Sequence, residues 1–140
     1  MLLTGRCLCG AVTYEGAGDV RGVEVCHCTD CRRWMGGPFL GVHLERLTVK
    51  GPVRWFDSSE WAERGSCESC GSALFWRLKN GSAPTVTAGS LDDQSILKGV
   101  EAHIFVDHWP DHYAFADDAP RKTGTEAIAE AMAALTNGKD

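Results

Sequence analysis

A chain of 140 residues with sixteen glycines has room for one substantial core, and one domain is expected, its loops steadied by bound metal. Fourteen basic against nineteen acidic residues leave a formal charge of −5 with no long run of like charge, which excludes a basic arm and argues against a nucleic-acid partner. No apolar stretch approaches the ~20 residues of a membrane span, and Met1-Leu2-Leu3 is too short for a signal sequence, so the expectation is a soluble cytoplasmic protein with no membrane partner.

From the N-terminus, Thr4 to Glu15 reads as one extended pass broken at a strand junction by the pair Cys7 and Cys9, with β-prone Ala11-Val12-Thr13-Tyr14 and turn residues in Gly16-Ala17-Gly18-Asp19. Val23-Glu24-Val25 alternates and runs into Cys26. Arg32-Arg33-Trp34-Met35 is expected to form a short helical turn, stopped by Gly36-Gly37-Pro38. A meander of short strands follows: Phe39 to Leu44, Leu47 to Lys50 and, after the Gly51-Pro52 turn, Val53 to Phe56. Ser58 to Gly65 should continue the sheet, and Ala73 to Leu78 should return through the hairpin signal Asn80-Gly81 into Thr85 to Ala88. Ala102 to Val106 is the last expected strand. The closing stretch differs: it is alanine-rich from Thr125 to Leu135, with Ile128, Met132 and Leu135 at helical spacing and Thr125 as the expected cap. This helix either packs its apolar side on its own domain or makes a dimer contact.

All seven cysteines fall into three groups: Cys7 with Cys9, Cys26 with Cys28 and Cys31, and Cys67 with Cys70. Thiolates are zinc ligands; a structural tetrahedral site takes four, whereas a catalytic site commonly takes three and keeps one position open. The two short pairs, each followed by a glycine that lets the chain turn tightly, are assigned to a closed structural zinc. Cys26, Cys28 and Cys31 then make a three-ligand half-shell for a second zinc with an open position. Disulfides are disfavoured, because residues 7 and 9 cannot bridge without strain and an odd count leaves one thiol over. A C-x-C-x2-C run can also be a redox trio or idle thiols.

The motifs Gly5-Arg6-Cys7-Leu8-Cys9-Gly10, Cys26-His27-Cys28-Thr29-Asp30-Cys31, Cys67-Glu68-Ser69-Cys70-Gly71 and Gly89-Ser90-Leu91-Asp92-Asp93, in this order, resemble the glutathione-dependent formaldehyde-activating enzyme family, also called GFA or CENP-V/GFA. The resemblance covers residues 4–118 and leaves 119–140 as an extension carrying the helix. It implies a mainly β, Mss4-like zinc-bound fold of short antiparallel strands. It also implies two zincs per chain, a structural one on Cys7, Cys9, Cys67 and Cys70 and a catalytic one on Cys26, Cys28 and Cys31. The implied activity is that of a carbon-sulfur lyase, in which a thiol such as glutathione adds to formaldehyde. Two departures from the family pattern stand out: Ser66 stands where an aromatic residue is usual, a change of packing, and His108-Trp109-Pro110-Asp111-His112-Tyr113 replaces a segment in which a lysine precedes proline-tryptophan, which bears on glutathione specificity.

The chemistry agrees with that implication. Zinc on three thiolates is formally anionic and polarises water weakly, but its softness suits a fourth thiolate, whose pKa it would lower from ~8.5. Arg32 and Arg33, directly after the last ligand, are candidates to offset that charge or clamp a substrate carboxylate; otherwise they are solvated surface arginines. His27, between two ligands, is read as a structural histidine pointing away. Asp30 is read as a partner for a backbone amide, and Asp92 and Asp93 as turn residues. The five tryptophans are expected in the core and around zinc, with Trp109 and Tyr113 considered as pocket walls. The function that follows is an enzyme joining or splitting a small thiol and a small aldehyde. The alternative is a non-catalytic zinc module, a thiol carrier or an interaction scaffold.

Overall fold

The computed structural model describes residues 1–137, with side chains as far as residue 134. The first strands are β1 (Leu2–Arg6), β2 (Thr13–Ala17) and β3 (Val23–Cys26), followed by helix α1 (Thr29–Met35). Six strands come next: β4 (Phe39–His43), β5 (Arg46–Lys50), β6 (Val53–Asp57), β7 (Ala62–Cys67), β8 (Ala73–Leu78) and β9 (Thr85–Thr87). Strand β10 (Val100–Ile104) and helix α2 (Gly124–Asn137) complete the order. The fold is mainly β, built of short strands with a C-terminal helix, as the sequence leads one to expect.

The chain divides into two compact units. The first comprises Met1–Val23 and Leu40–Gly99. In it β2 lies between β1 and β5, antiparallel to both. A second antiparallel run has the order β4-β9-β8-β7-β6. Alternation turns Leu3 and Tyr14 inward from β1 and β2, while Val42, Leu74, Phe75 and Val86 are wholly buried in strands covered on both faces. Phe75 pairs with Val86 across the ladder, meets Tyr14 edge-on at 5.3 Å, and carries Trp55 stacked at 5.7 Å. Burying a side chain of this size stabilises the fold by about 1.5–3 kcal/mol.

The second unit comprises Glu24–Phe39 and the chain from Val100 onward. Its strands β3 and β10 are neighbours. Helix α2 opens with Thr123 and Glu126 in a reciprocal cap: the Glu126 N–H donates to Thr123 Oγ1 at 3.2 Å, and the Thr123 N–H donates to Glu126 Oε1 at 3.0 Å. Gly124 is fixed by Asp107, which accepts its N–H at 2.8 Å, and by the Phe105 ring, only 2.6 Å from where a Cβ would stand. Ile128 and Met132 are exposed, at 49% and 61%. Leu135, third in that apolar spacing, has its side chain outside the described residues.

Several local expectations need correction. Thr4 to Glu15 is a hairpin and not one pass, because the Cys7–Gly10 turn reverses the chain and pairs β1 with β2. Helix α1 begins at Thr29, earlier than Arg32, since Cys28 caps it. Ser58–Trp61 is a turn, with the Ser59 hydroxyl accepting the Ala62 N–H at 3.0 Å before β7 starts. Strand β10 starts and ends two residues ahead of the Ala102–Val106 expectation, and Phe105 turns the chain with φ of 55°. The cap of α2 is Thr123 rather than Thr125: Glu126 three residues on completes a capping box that the apolar spacing does not reveal. None of the tryptophans is fully buried, and Trp61 is 58% exposed; Phe39, Phe75 and Tyr14 supply the buried aromatic rings.

Candidate metal centres and a buried polar chain

Two turns of nearly identical shape carry the cysteine pairs of the first unit. In the first, the Gly10 N–H returns to the Cys7 carbonyl at 3.2 Å; in the second, the Gly71 N–H returns to the Cys67 carbonyl at 2.8 Å. Gly10 and Gly71 both take the left-handed conformation, φ of 83° and 79°, that favours glycine. Backbone donors face the sulfurs: Val12 N–H reaches Cys7 Sγ at 3.3 Å, Ala11 N–H reaches Cys9 Sγ at 3.5 Å and Cys70 N–H reaches Cys67 Sγ at 3.4 Å. Ser72 ties the turns together, accepting the Leu8 N–H at 3.0 Å while its hydroxyl lies 3.1 Å from Cys70 Sγ.

The four sulfurs lie within 4.8 Å of one another, with Cys7 to Cys9 at 3.6 Å and Cys9 to Cys67 at 3.8 Å. A tetrahedral zinc with Zn–S bonds of ~2.3 Å places its sulfurs about 3.8 Å apart. The quartet fits such an ion. The thiols also compete for protons: hydrogen bonds from Ser72 draw Cys70 down to about 5. The Ala11 N–H draws Cys9 down as well, but its neighbouring thiols and burial outweigh it and leave Cys9 at about 11. A divalent cation would relieve that competition by stabilising all four thiolates together.

In the second unit Cys26, Cys28 and Cys31 bring three sulfurs within the same 4.8 Å limit. Cys26 ends β3, Cys28 precedes α1, and Cys31 is buried in the first turn of that helix. Cys28 also caps α1, its sulfur accepting the Cys31 N–H at 3.3 Å. Hydrogen bonding with Cys28 and then Cys31, together with burial, pushes the Cys26 thiol far up, so three thiolates do not coexist there without a cation. Helix α1 stops at Gly36, whose φ of 78° lets its N–H return to the Arg32 carbonyl.

The arginines after the trio separate. Arg32 donates from Nε to the His27 carbonyl at 3.0 Å, which holds its guanidinium against the cysteine loop, whereas Arg33 is exposed. Asp30 is exposed in the first turn of α1, where the capping acceptor is Cys28. Asp93 accepts the Ser95 N–H at 3.0 Å, the turn role expected of it, whereas Asp92 accepts from the Thr4 hydroxyl at 2.8 Å, a bond between distant parts of the chain.

His27 is indeed structural, but it is not isolated. Its side chain is fully buried, with Nδ1 2.8 Å from the Tyr113 hydroxyl and Nε2 2.8 Å from His103 Nδ1. His103, equally buried, places Nε2 3.0 Å from Asp117 Oδ1. Trp109 stacks on His27 at 3.7 Å with ring planes 7° apart, so one of its faces covers the histidine. Burial, then the neighbouring His103 and the arginines, lowers His27 to about 4 and keeps it neutral. The His103 hydrogen bond holds the Asp117 carboxyl below its usual range, and burial raises Tyr113. The sequence reading missed His103 and Asp117 altogether. The only sign was His27 itself, a histidine locked between two candidate ligands.

These features define a small β protein with two cysteine clusters, one of four and one of three, each with the geometry to hold a metal ion. The description "Glutathione-dependent formaldehyde-activating enzyme" matches residues 2–108, and the chain belongs to that family. An uncharacterized lyase of Schizosaccharomyces pombe is 30% identical over 139 residues, covering 94% of this chain and 95% of the relative. A crystal structure of a Rhodobacter sphaeroides protein is 21% identical, covers 85% of this chain and 99% of its own, and has a TM-score of 0.46. No helix among the described residues is long and apolar enough to cross a membrane.

Proposed function

We propose that this protein is a zinc-dependent carbon-sulfur lyase that adds a small thiol, glutathione or a similar one, to formaldehyde or another small aldehyde, or reverses that addition. The observation that carries this reading is the unequal pair of clusters, four sulfurs in one and three in the other. Family membership and the lyase name of the fission-yeast relative support it. Cys7, Cys9, Cys67 and Cys70 hold the structural ion, and Cys26, Cys28 and Cys31 hold the catalytic one. Zinc at the trio supplies a soft centre with room for one more thiolate, kept ionised at neutral pH.

The chain's own residues organise the rest. Cys26, Cys28 and Cys31 fix where the substrate sulfur sits, while Arg32, held on the His27 carbonyl, brings positive charge toward the anionic cluster. The sulfur attacks the carbonyl carbon, forming a C–S bond. The carbonyl π pair moves to oxygen, which takes up the proton the thiol gave away. In the reverse direction the same C–S bond breaks and thiol and aldehyde are released. A reaction that needs free thiols and unpaired cysteines supports a cytoplasmic setting.

The test is exchange between formaldehyde and S-hydroxymethylglutathione by two-dimensional NMR, with the wild type and Cys28→Ser in buffer of the same total zinc concentration. Acceleration by the wild type alone is expected. Equal rates with both proteins and with buffer would remove catalysis at the trio with this thiol.

A further inference from the structure

Among the described residues β6 ends its sheet, with β7 on one side and no strand on the other. Which of its backbone groups face the open side follows from one bond. The Glu68 N–H donates to the Pro52 carbonyl at 2.8 Å, so residue 52 turns its backbone toward the chain that carries β7. The backbone groups of successive strand residues point alternately to the two sides. Arg54 and Phe56 therefore bond to β7, while Val53, Trp55 and Asp57 direct their N–H and C=O groups outward. Of these, the Val53 N–H is already taken, donating to the Gly51 carbonyl at 3.0 Å.

Exposed edges are commonly blunted by lysine, proline or a bulge. Strand β6, Val53-Arg54-Trp55-Phe56-Asp57, holds none of these and pairs with β7 in unbroken register. Its two charges are of opposite sign and lie toward opposite ends. An apolar patch adjoins the edge: Phe56 stands opposite Arg64 and Arg64 opposite Trp76, so Phe56 and Trp76 share one face, and the Trp61 ring meets Trp76 edge-on at 6.2 Å. Phe56 is 67% exposed.

We propose that β6 pairs antiparallel with β6 of a second copy of this chain, centred on Trp55, and joins two sheets across a two-fold axis. Such an axis sets one residue opposite itself. Arg54 opposite itself would bring like charges together, and Phe56 opposite itself would overlap only residues 55–57. Trp55 opposite itself overlaps all five residues. It then exchanges both backbone bonds with the partner's Trp55, and the Asp57 N–H reaches the partner's Val53 carbonyl. Arg54 stands directly opposite the partner's Phe56, in the closer kind of pair that shares no backbone bond, so a guanidinium meets a ring face twice in the interface. The basic end of each strand lies beside the acidic end of the other. The inference is independent of the thiol chemistry above.

Light scattering and sedimentation of the full-length, zinc-loaded protein test it. At ~0.1 mM, which populates any dimer with a Kd well below that, the wild type should be dimeric. Phe56→Arg sets arginine opposite arginine and should weaken the dimer about tenfold or more. Adding Arg54→Glu should restore it, because residues 54 and 56 then face each other with opposite charge. Asp57→Pro removes an outward N–H and no bond to β7, so it should weaken the dimer while metal content and far-ultraviolet circular dichroism stay those of the wild type. A monomeric wild type would overturn the proposal. A dimer that ignores both Phe56→Arg and Asp57→Pro would overturn it too, by placing the contact on another face. A double variant that stays monomeric would reject the Trp55-centred register.

Discussion

Cys28 has two tasks that substitution can separate. Its sulfur belongs to the trio and also accepts the Cys31 N–H as the cap of α1. Serine is a good cap but a poor zinc ligand, so Cys28→Ser should lower bound metal by one equivalent, read by mass spectrometry of the metal, while the helix keeps its start. Cys28→Ala should lose the same equivalent and destabilise the protein by about 1 kcal/mol more, the usual cost of a lost cap, read by denaturant unfolding. The grouping of the sulfurs was legible in the sequence because neighbouring cysteines of each group stand two or three positions apart and each pair is followed by glycine. The polar chain beyond them was not. His27 is 76 residues from His103 and 86 from Tyr113, so only the folded backbone brings these groups into contact.

At the scale of elements, helix α2 depends on its first turn, because Ile128 and Met132 are exposed and add little burial. Thr123→Ala should therefore cost about 1 kcal/mol and appear as loss of helical circular dichroism. Glu126 gives the same turn a pH dependence. Its carboxyl is held below the usual 4.5, chiefly by the Thr123 N–H, so the folded state favours the ionised form. That stabilisation is present above pH 4.5 and is lost as the pH falls through the folded value below it. Fraying of α2 should increase below about pH 4.5 in the wild type, and Glu126→Gln should remove the dependence. Gly51, with φ of 108°, is a second sensitive point: a Cβ there would overlap the Ala11 carbonyl oxygen, against the turn that carries Cys9. Gly51→Ala should lower stability by roughly 2 kcal/mol, beyond an ordinary glycine replacement, since strain and overlap add. The strands and their turns were legible from alternation and from Gly51-Pro52 and Asn80-Gly81. At Cys7–Gly10 the glycine marked a tight turn, but not that the strands on either side pair with each other, because β-prone residues flanking a turn also read as one broken pass.

For the whole molecule the two clusters differ in what they close. Cys26, Cys28 and Cys31 are supplied by one short stretch, so an ion there organises a loop that β3 and α1 already position. The quartet joins residues 7 and 9 to residues 67 and 70, with Cys9 and Cys67 separated by 58 positions. Closing a loop of that length removes far more conformational freedom from the unfolded chain, and an ion that binds only the folded chain adds its binding energy to stability. Chelation should then proceed in two stages. The first equivalent of metal should leave the trio with little change in far-ultraviolet circular dichroism, because three sulfurs hold an ion less tightly than four and, on the proposed function, leave one position open to a chelator. The second should leave only as the first unit unfolds, and re-adding zinc should restore both signal and structure. Following metal release and dichroism in one sample tests this order, with Cys28→Ser lacking the first stage. Release of both equivalents in a single step, with unfolding, would mean that the trio is as structural as the quartet, and the open-site chemistry would lose its physical basis.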